Sequence, residues 1–239
     1  MSGPMLEVSG LRAGYLDTTV IRDLDLAVQS GEAAVLIGPN GHGKTTLLRA
    51  VSGLITPSGG RVLLAGKDVT GKPAERIAAL GLVHVPQGDG LFGEMTVEEN
   101  LMMGAFPGSS WRDRRAAVGR IYGQFPVVAD RKGQRARTLS GGERRLVALG
   151  RALMRPSQIM LIDEPSLGLA PVAIDAVYDA IGELKRSGAT LVLVEENFTH
   201  VGAVADVVHV IEAGAIIASG PFSRMSADPK IVQTYLGSL

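Results

Sequence analysis

Three unbroken apolar runs constrain this chain more than any other feature: Val-Leu-Ile at 35–37, Ile-Met-Leu-Ile at 159–162 and Leu-Val-Leu-Val at 191–194. A strand with one face in water alternates apolar and polar side chains. A strand with no polar position is covered on both faces, as in a parallel sheet flanked by other layers. Shorter runs at 6–8, 24–28, 61–64, 82–85, 207–211 and 215–218, with the full segments 33–37, 159–162 and 190–194, complete the expected strands. Helical patterns lie between them. One follows Thr45, with Leu47, Leu48, Val51 and Leu54 on a stripe; another spans 171–186, with Ala173, Val177, Ile181 and Leu184 at helical spacing and Pro171 in its first turn. Strand–helix–strand alternation predicts an α/β fold with a mainly parallel sheet. The first thirty residues and the stretch GGRVLLAGKDV, strand-like with turn signals, predict a small antiparallel sheet beside that core. Residues 88–137 are helix-rich, with turn signals FPGSS and QFPVVAD, and read as an inserted helical lobe. With the helical pattern that follows, the lobe extends over about 88–155 of a single 1–239 domain.

The bulk numbers narrow the function. With 239 residues, 46% hydrophobic and 20% charged, the chain is expected to fold around a sizeable core. Lys plus Arg equals Asp plus Glu at 24 each, so there is no global basic field, and no nucleic-acid partner is expected. The absence of cysteine removes disulfides and thiolate metal sites. The opening MSGPMLEVSG lacks a basic segment followed by an apolar run, so no signal peptide is expected. No uncharged apolar stretch reaches the ~18 residues of a membrane span; the most apolar region, 201–220, is broken by Asp206, His209 and Glu212.

The run at 35–37 leads into GPNGHGKTTLL. Gly38, Gly43, Lys44 and Thr45 satisfy G-x-x-x-x-G-K-[ST], with Pro39, Asn40, Gly41 and His42 between and Thr46 after. Glycines let backbone N–H groups wrap a phosphate, and the helix start adds partial positive charge. Lys44 can reach terminal phosphates and the Thr45 hydroxyl can ligate Mg²⁺. A plain glycine turn before a core helix is the bland alternative; a strand before and a helix after argue for the phosphate loop. Because the loop works through its backbone, His42 is expected to point outward into solvent.

The run at 159–162 ends in Asp163 and Glu164. A buried strand would deliver both acids at its carboxyl end, where ligands sit in open α/β sheets. Asp163 can hold Mg²⁺ and Glu164 can orient and deprotonate an attacking water. Two acids ending a strand in solvent is the alternative, and pairing with the phosphate loop argues against it.

A second glycine motif, Ser140-Gly141-Gly142-Glu143, has S-x-x-E capping-box spacing. Capping alone would explain Glu143. The paired glycines also leave N–H groups and a helix dipole free to meet an anion. The sequence offers no second nucleotide loop for it to serve.

Together these residues resemble the ATP-binding subunits of ABC transporters, in motif order and over nearly the whole chain. GPNGHGKTT is similar to the Walker A loop, LSGGE to the signature and IMLIDE to the Walker B strand. The resemblance implies ATP and Mg²⁺ as cofactors and two such subunits paired head to tail, so that Ser140 and Gly142 clamp the partner's γ-phosphate. It implies that Tyr15 stacks on adenine, and that Gln87 senses Mg²⁺ and the attacking water while beginning the lobe that meets membrane subunits. It implies that the loop 166–171 communicates between subunits. The strings MLEVSGLRAGY, MTVEENLMMGA, DEPSLGLAP, VEEN and QTYLGSL resemble the second ATP-binding subunit of bacterial importers for branched-chain amino acids, amides or urea. That implies a peripheral protein at the cytoplasmic face of the membrane, two permease subunits and, indirectly, a periplasmic solute-binding protein.

The chain departs from the family at two places. Glu196 stands where many relatives carry a histidine, a position at which this importer branch often has glutamine; Ala170 stands where many have Asp. An ionised glutamate would repel a γ-phosphate that a histidine could donate to. Glu196 therefore points away, is protonated, or marks a slow site, and both departures favour a heterodimer with a related subunit. Two other functions stay open on sequence: a non-hydrolysing ATP-binding half, against which intact Lys44, Asp163 and Glu164 stand, and an ABC ATPase acting outside transport.

Overall fold

The computed structural model describes residues 3–16, 18–105, 112–196 and 198–235. The expected turn at 106–110, Asn197 of the VEEN string and the last four residues lie outside them. In chain order the strands and helices are β1 (Leu6–Tyr15), β2 (Thr18–Val28), β3 (Ala33–Ile37), α1 (Lys44–Val51), β4 (Gly59–Leu64), β5 (Lys67–Asp68), α2 (Ala74–Ala79) and β6 (Leu82–Val85). There follow α3 (Val97–Met103), α4 (Arg114–Gln124), α5 (Pro126–Asp130), α6 (Gly141–Ala152), β7 (Ile159–Asp163), α7 (Pro171–Arg186) and β8 (Thr190–Glu195). The chain closes with β9 (Val207–Glu212), β10 (Ala215–Pro221), α8 (Phe222–Met225) and α9 (Pro229–Tyr235).

The larger sheet has the order β10-β9-β3-β8-β7-β6. Its five inner-to-edge strands β9, β3, β8, β7 and β6 are parallel, and β10 closes one edge antiparallel to β9. Successive side chains of its central strands go to opposite cores. Ala33, Val35 and Ile37, with Met160, Ile162, Leu191 and Leu193, pack against α3, α6 and α7. Ala34 and Leu36, with Leu161, Val192 and Val194, pack against α1 and the smaller sheet. That double burial is why these runs carry no polar residue, and each fully buried Val, Leu or Ile contributes about 1.5–3 kcal/mol.

The smaller sheet, order β2-β1-β4-β5, is antiparallel throughout. Its first two strands are longer than the sequence predicts. The apolar run stops at Val8, but pairing resumes after a register shift between Val8 and Leu11, with Gly10 at φ 54° absorbing the irregularity. The stretch QFPVVAD is a helix break at Phe125 followed by the short α5, not an open turn. Proline fits the first turn there, where no N–H partner is required.

The helices α3 to α6 share one apolar cluster with a sheet face. In α6, Gly142, Leu146 and Leu149 are buried at helical spacing, and Arg145 falls on the same side. The crossing of α3 and α6 is close: a Cβ on Gly104 would lie 2.0 Å from the carbonyl oxygen of Arg151. Gly104→Ala should therefore force the helices apart and lower unfolding free energy by about 1–3 kcal/mol, read as a lower urea midpoint; an unchanged midpoint would show that this contact yields freely.

Candidate active site

Parallel strands place their carboxyl ends on one edge, and the chemistry-bearing residues gather there. β3 ends in the glycine loop, β7 in the acid pair, β6 in Pro86 and Gln87, and β8 runs between β3 and β7. A cleft of about 400 Å³ opens at this edge. Among the residues expected from sequence, Tyr15, Asn40, Gly41, Gly43, Lys44, Thr45, Thr46, Gln87 and Glu164 line it. Asp163 sits behind them and reaches the cleft through Thr45, whose Oγ1 donates to Asp163 Oδ1 at 3.1 Å.

The loop is bound to the fold from several sides. Lys44, 3% exposed, donates from Nζ to Gly38 O at 2.6 Å and Pro39 O at 3.1 Å. A Cβ on Gly38 would lie 2.2 Å from Ile211 O, so only glycine lets the loop leave β3 beside β9. His42 does not stand free in solvent. It is half-buried, and its Nδ1 accepts a hydrogen bond from Ala213 N–H at 3.2 Å. Gly214 N–H also donates to His42 O, so the β9–β10 turn braces the loop. His42 is absent from the cleft lining, as an outward side chain would be, but it is partly covered because the β9–β10 turn gives the loop a lateral support that its own motif does not specify.

Glu164 accepts from Gln87 Nε2 at 2.8 Å on one oxygen and faces Lys44 Nζ at 3.6 Å on the other. Its backbone is left-handed, φ 46°, a strained conformation for a non-glycine residue costing about 1–3 kcal/mol. It is held there by its N–H on Val194 O at 3.0 Å and by Arg145 Nη2 on its own carbonyl at 3.2 Å. Burial pushes the Asp163 carboxyl up to about 6; Glu164 adds to the rise, while the Thr45 hydrogen bond, Arg49 and Lys44 oppose it. A buried carboxylate with this partial compensation, in contact with the Thr45 hydroxyl, offers oxygen donors of the kind that suit a hard cation.

Two of the expected site residues are elsewhere. Ser140 and Gly142 line no part of this cleft. The capping box is formed: Ser140 Oγ accepts from Glu143 N–H at 3.3 Å, and Glu143 accepts from Ser140 N–H at 2.8 Å. Ser140 is exposed and its hydroxyl proton is not used by the cap. Gly142 packs so closely on α7 that a Cβ would lie 2.7 Å from that of Ala173. Glu196 is exposed and outside the cleft lining. Its neighbour Glu195 is the buried acid, accepting from Ser166 N–H at 3.1 Å, Ser166 Oγ at 2.9 Å and Tyr178 O–H at 2.8 Å. Ala170 is the N-cap of α7 and provides no side-chain cap.

Sequence reasoning missed four contributors. Val20 lines the cleft with Tyr15, and Arg49 donates to Tyr15 Oη at 3.1 Å. Arg145 and Glu195 tie loops behind the cleft. Arg145 carried a legible signal, a charge on the apolar stripe of α6; the others did not.

A phosphate loop, a carboxylate pair and a glutamine converging on one cleft define a nucleotide-hydrolysing cassette, and the comparisons agree. The family model for the ABC transporter matches residues 21–167. The chain is 36% identical to the high-affinity branched-chain amino acid transport ATP-binding protein BraG of Pseudomonas aeruginosa, over 98% of this chain and 100% of that protein. It is 30% identical to the high-affinity branched-chain amino acid transport ATP-binding protein LivG of Escherichia coli, over 99% of both. It is also 31% identical to the lipopolysaccharide export system ATP-binding protein LptB of Haemophilus influenzae, over 98% of this chain and 97% of that protein. Two solved cassettes match at a TM-score of 0.85: a nucleotide-free ATP-binding cassette from an ABC transporter, at 28% identity over 98% and 100% of the chains, and MJ1267 in its ADP conformation, at 29% over 98% and 99%. The chain belongs to the ABC transporter family, as its ATP-binding, ATP-hydrolysing subunit. Among the described residues no helix is long and apolar enough to cross a membrane.

The raised Asp163 pKa makes a signed prediction. A carboxyl raised in the folded state favours folding below its unfolded value near 3.8, and that contribution is gone once pH rises through about 6. At pH 7 the wild type therefore carries a destabilising buried charge that Asp163→Asn removes. In Mg²⁺-free buffer at pH 7 the variant should be more stable by about 1–3 kcal/mol, with the gain shrinking below pH 5, and it should lose Mg²⁺-dependent hydrolysis. Urea unfolding at the two pH values checks this; equal stability at both would remove burial as the cause.

Proposed function

We propose that this chain is the ATPase subunit of an importer for branched-chain amino acids or related small solutes, acting at the cytoplasmic face of the membrane. Residues 1–239 act as one ABC ATPase domain, with residues 88–155 as its helical subdomain. The observation that carries the reading is a division of labour. Tyr15, Lys44, Thr45, Gln87 and Glu164 meet in one cleft, whereas Ser140 and Gly142, with their anion-binding chemistry, lie outside it. A second ATP-binding subunit, identical or related, supplies them head to tail.

In this reading Tyr15 stacks on adenine, and the N–H groups between Gly38 and Thr46, Gly41 and Gly43 among them, hold the phosphates. An arriving γ-phosphate draws Lys44 from the carbonyls of Gly38 and Pro39 and from Glu164. Thr45, Asp163 and Gln87 would hold Mg²⁺, which would supply charge neutralisation for the phosphates. Glu164, released from Lys44 and oriented by Gln87, accepts the proton of the attacking water. Water oxygen bonds to the γ-phosphorus, the bond to the bridging oxygen breaks, and ADP and phosphate leave. Ser140, still capping α6, donates a hydrogen bond from its hydroxyl to the γ-phosphate of the nucleotide held by the partner.

Two membrane permease subunits complete the transporter. A groove of about 410 Å³ between β6 and the helical lobe, bounded by Phe92, Met103 and Ala148 with His84 and Arg151 at its polar side, supports their docking beside Gln87. BraG and LivG are named for branched-chain amino acid transport, which supports the cargo class; import through a periplasmic solute-binding protein rests on the importer strings of the sequence. The relative named for lipopolysaccharide export has comparable identity with LivG, so the cargo rests on the importer strings of the sequence as well.

Phosphate release measured against protein concentration tests the reading, for the pure chain and for Glu164→Gln. Turnover should rise faster than linearly with protein and fall at least ~100-fold in the variant. ATP binding without turnover would assign the other half to a non-identical subunit, whose addition should restore the rate. Turnover strictly linear in protein, or kept in Glu164→Gln, would contradict it.

A further inference from the structure

Three arginines of α6 grip the segment that follows Gln87. Arg145 Nη1 donates to the carbonyls of Gly88 and, at 3.4 Å, Pro86. Arg151 donates to Gly90 O at 2.8 Å and Asp89 O at 3.2 Å, and Arg144 Nε lies 2.9 Å from Asp89 Oδ2. Gly88 and Gly90 take φ of 81° and 54°, a conformation open to glycine, within this segment.

Arg145 differs from the other two. It is 3% exposed, and its guanidinium spans two segments at once, reaching the Gln87 segment through Nη1 and the Glu164 carbonyl through Nη2. A buried guanidinium requires partners for its N–H groups. Here the contacts are carbonyls of the two loops that carry the reaction, and a rigid planar fork fixes them relative to each other. One helical turn away, the same helix begins at Ser140. Beyond Glu164 the chain is pinned independently, because Glu195 accepts from the backbone N–H and the hydroxyl of Ser166 and from the Tyr178 hydroxyl. Glu164, left-handed at φ 46°, thus sits between a fixed point on β8 and a point carried by α6.

We propose that Arg145 is a positioning residue that couples the two nucleotide sites. It makes Gln87 and Glu164 of one subunit move with the helix whose first turn grips the other subunit's nucleotide, and it rests on the head-to-tail pairing proposed above. Nucleotide bound at one site displaces the start of α6. The guanidinium transfers that displacement to the amide and carboxylate that complete the opposite site. Arg144 and Arg151 add grip on the Gln87 segment but reach no part of Glu164.

Wild type, Arg145→Lys and Arg145→Gln decide it, read by ATP-dependent hydrogen exchange in a Glu164→Gln background and by steady-state turnover with Glu164 intact. In the wild type, ATP should protect segments 138–146 and 86–90 together. In Arg145→Gln the first protection should persist and the second should be lost. In turnover, half-saturating ATP should stay within about threefold, kcat should fall at least about tenfold and the Hill coefficient should drop to 1. Arg145→Lys, which keeps the charge and most of the packing but not the planar fork, should recover little of kcat, whereas a loss of packing alone would predict recovery. Joint protection of both segments in Arg145→Gln would overturn the proposal and leave the pairing intact. Absence of protection at 138–146 in the wild type would overturn the pairing and the coupling with it.

Discussion

Burial of the central strands on both faces is the constraint on which the remaining structure depends. β3, β7 and β8 have no solvent face, so their sequences cannot carry function along their length. Polar chemistry is confined to where each strand ends. Because the strands are parallel, those ends share an edge, and residues far apart in sequence, Lys44, Gln87 and Asp163, become neighbours there. The two apolar clusters, one under α6 and α7 and one under α1 and the antiparallel sheet, hold that edge rigid.

Electrostatics at the edge are finely divided. Asp163 and Glu164 are adjacent, buried acids, and the fold separates their duties. Asp163 takes the Thr45 hydroxyl, while Glu164 turns through a left-handed backbone towards Lys44 and Gln87. The like charge of Glu164 is one reason the Asp163 carboxyl titrates near 6. In the proposed reading a cation at Asp163 and a phosphate at Lys44 would relieve both burial costs together, so that nucleotide and metal would bind as one event.

Much of this is legible in the sequence. The three apolar runs predict covered strands because double burial leaves a direct mark on composition. The loop from Gly38 to Thr46 and the pair Asp163–Glu164 are legible because their chemistry needs fixed residue types at fixed spacing. The capping box at Ser140 and Glu143 is a local motif, and local motifs survive translation into structure. What stayed hidden depends on contacts distant in sequence. His42 is braced by Ala213, 171 residues away, and no spacing rule reports that. Glu195 was overshadowed by Glu196: β8 is covered on both faces through its last residue, Glu195, and the next acid lies past the strand end in solvent. β1 ran past its predicted end because an irregularity at Gly10 preserved pairing that alternation alone would have stopped.

The proposed pairing completes the catalytic edge of one chain with the helix start of another. The sequence contains no cysteine, so a pair introduced by Asn40→Cys and Ser140→Cys, in a Glu164→Gln background, would supply the only thiols. Both positions are exposed, one on the phosphate loop and one at the start of α6. Mild oxidation in the presence and absence of ATP, followed by non-reducing electrophoresis, reads the geometry directly. A covalent dimer that forms only with ATP is the predicted result. A disulfide closing within a single chain, or a dimer yield indifferent to ATP, would contradict it.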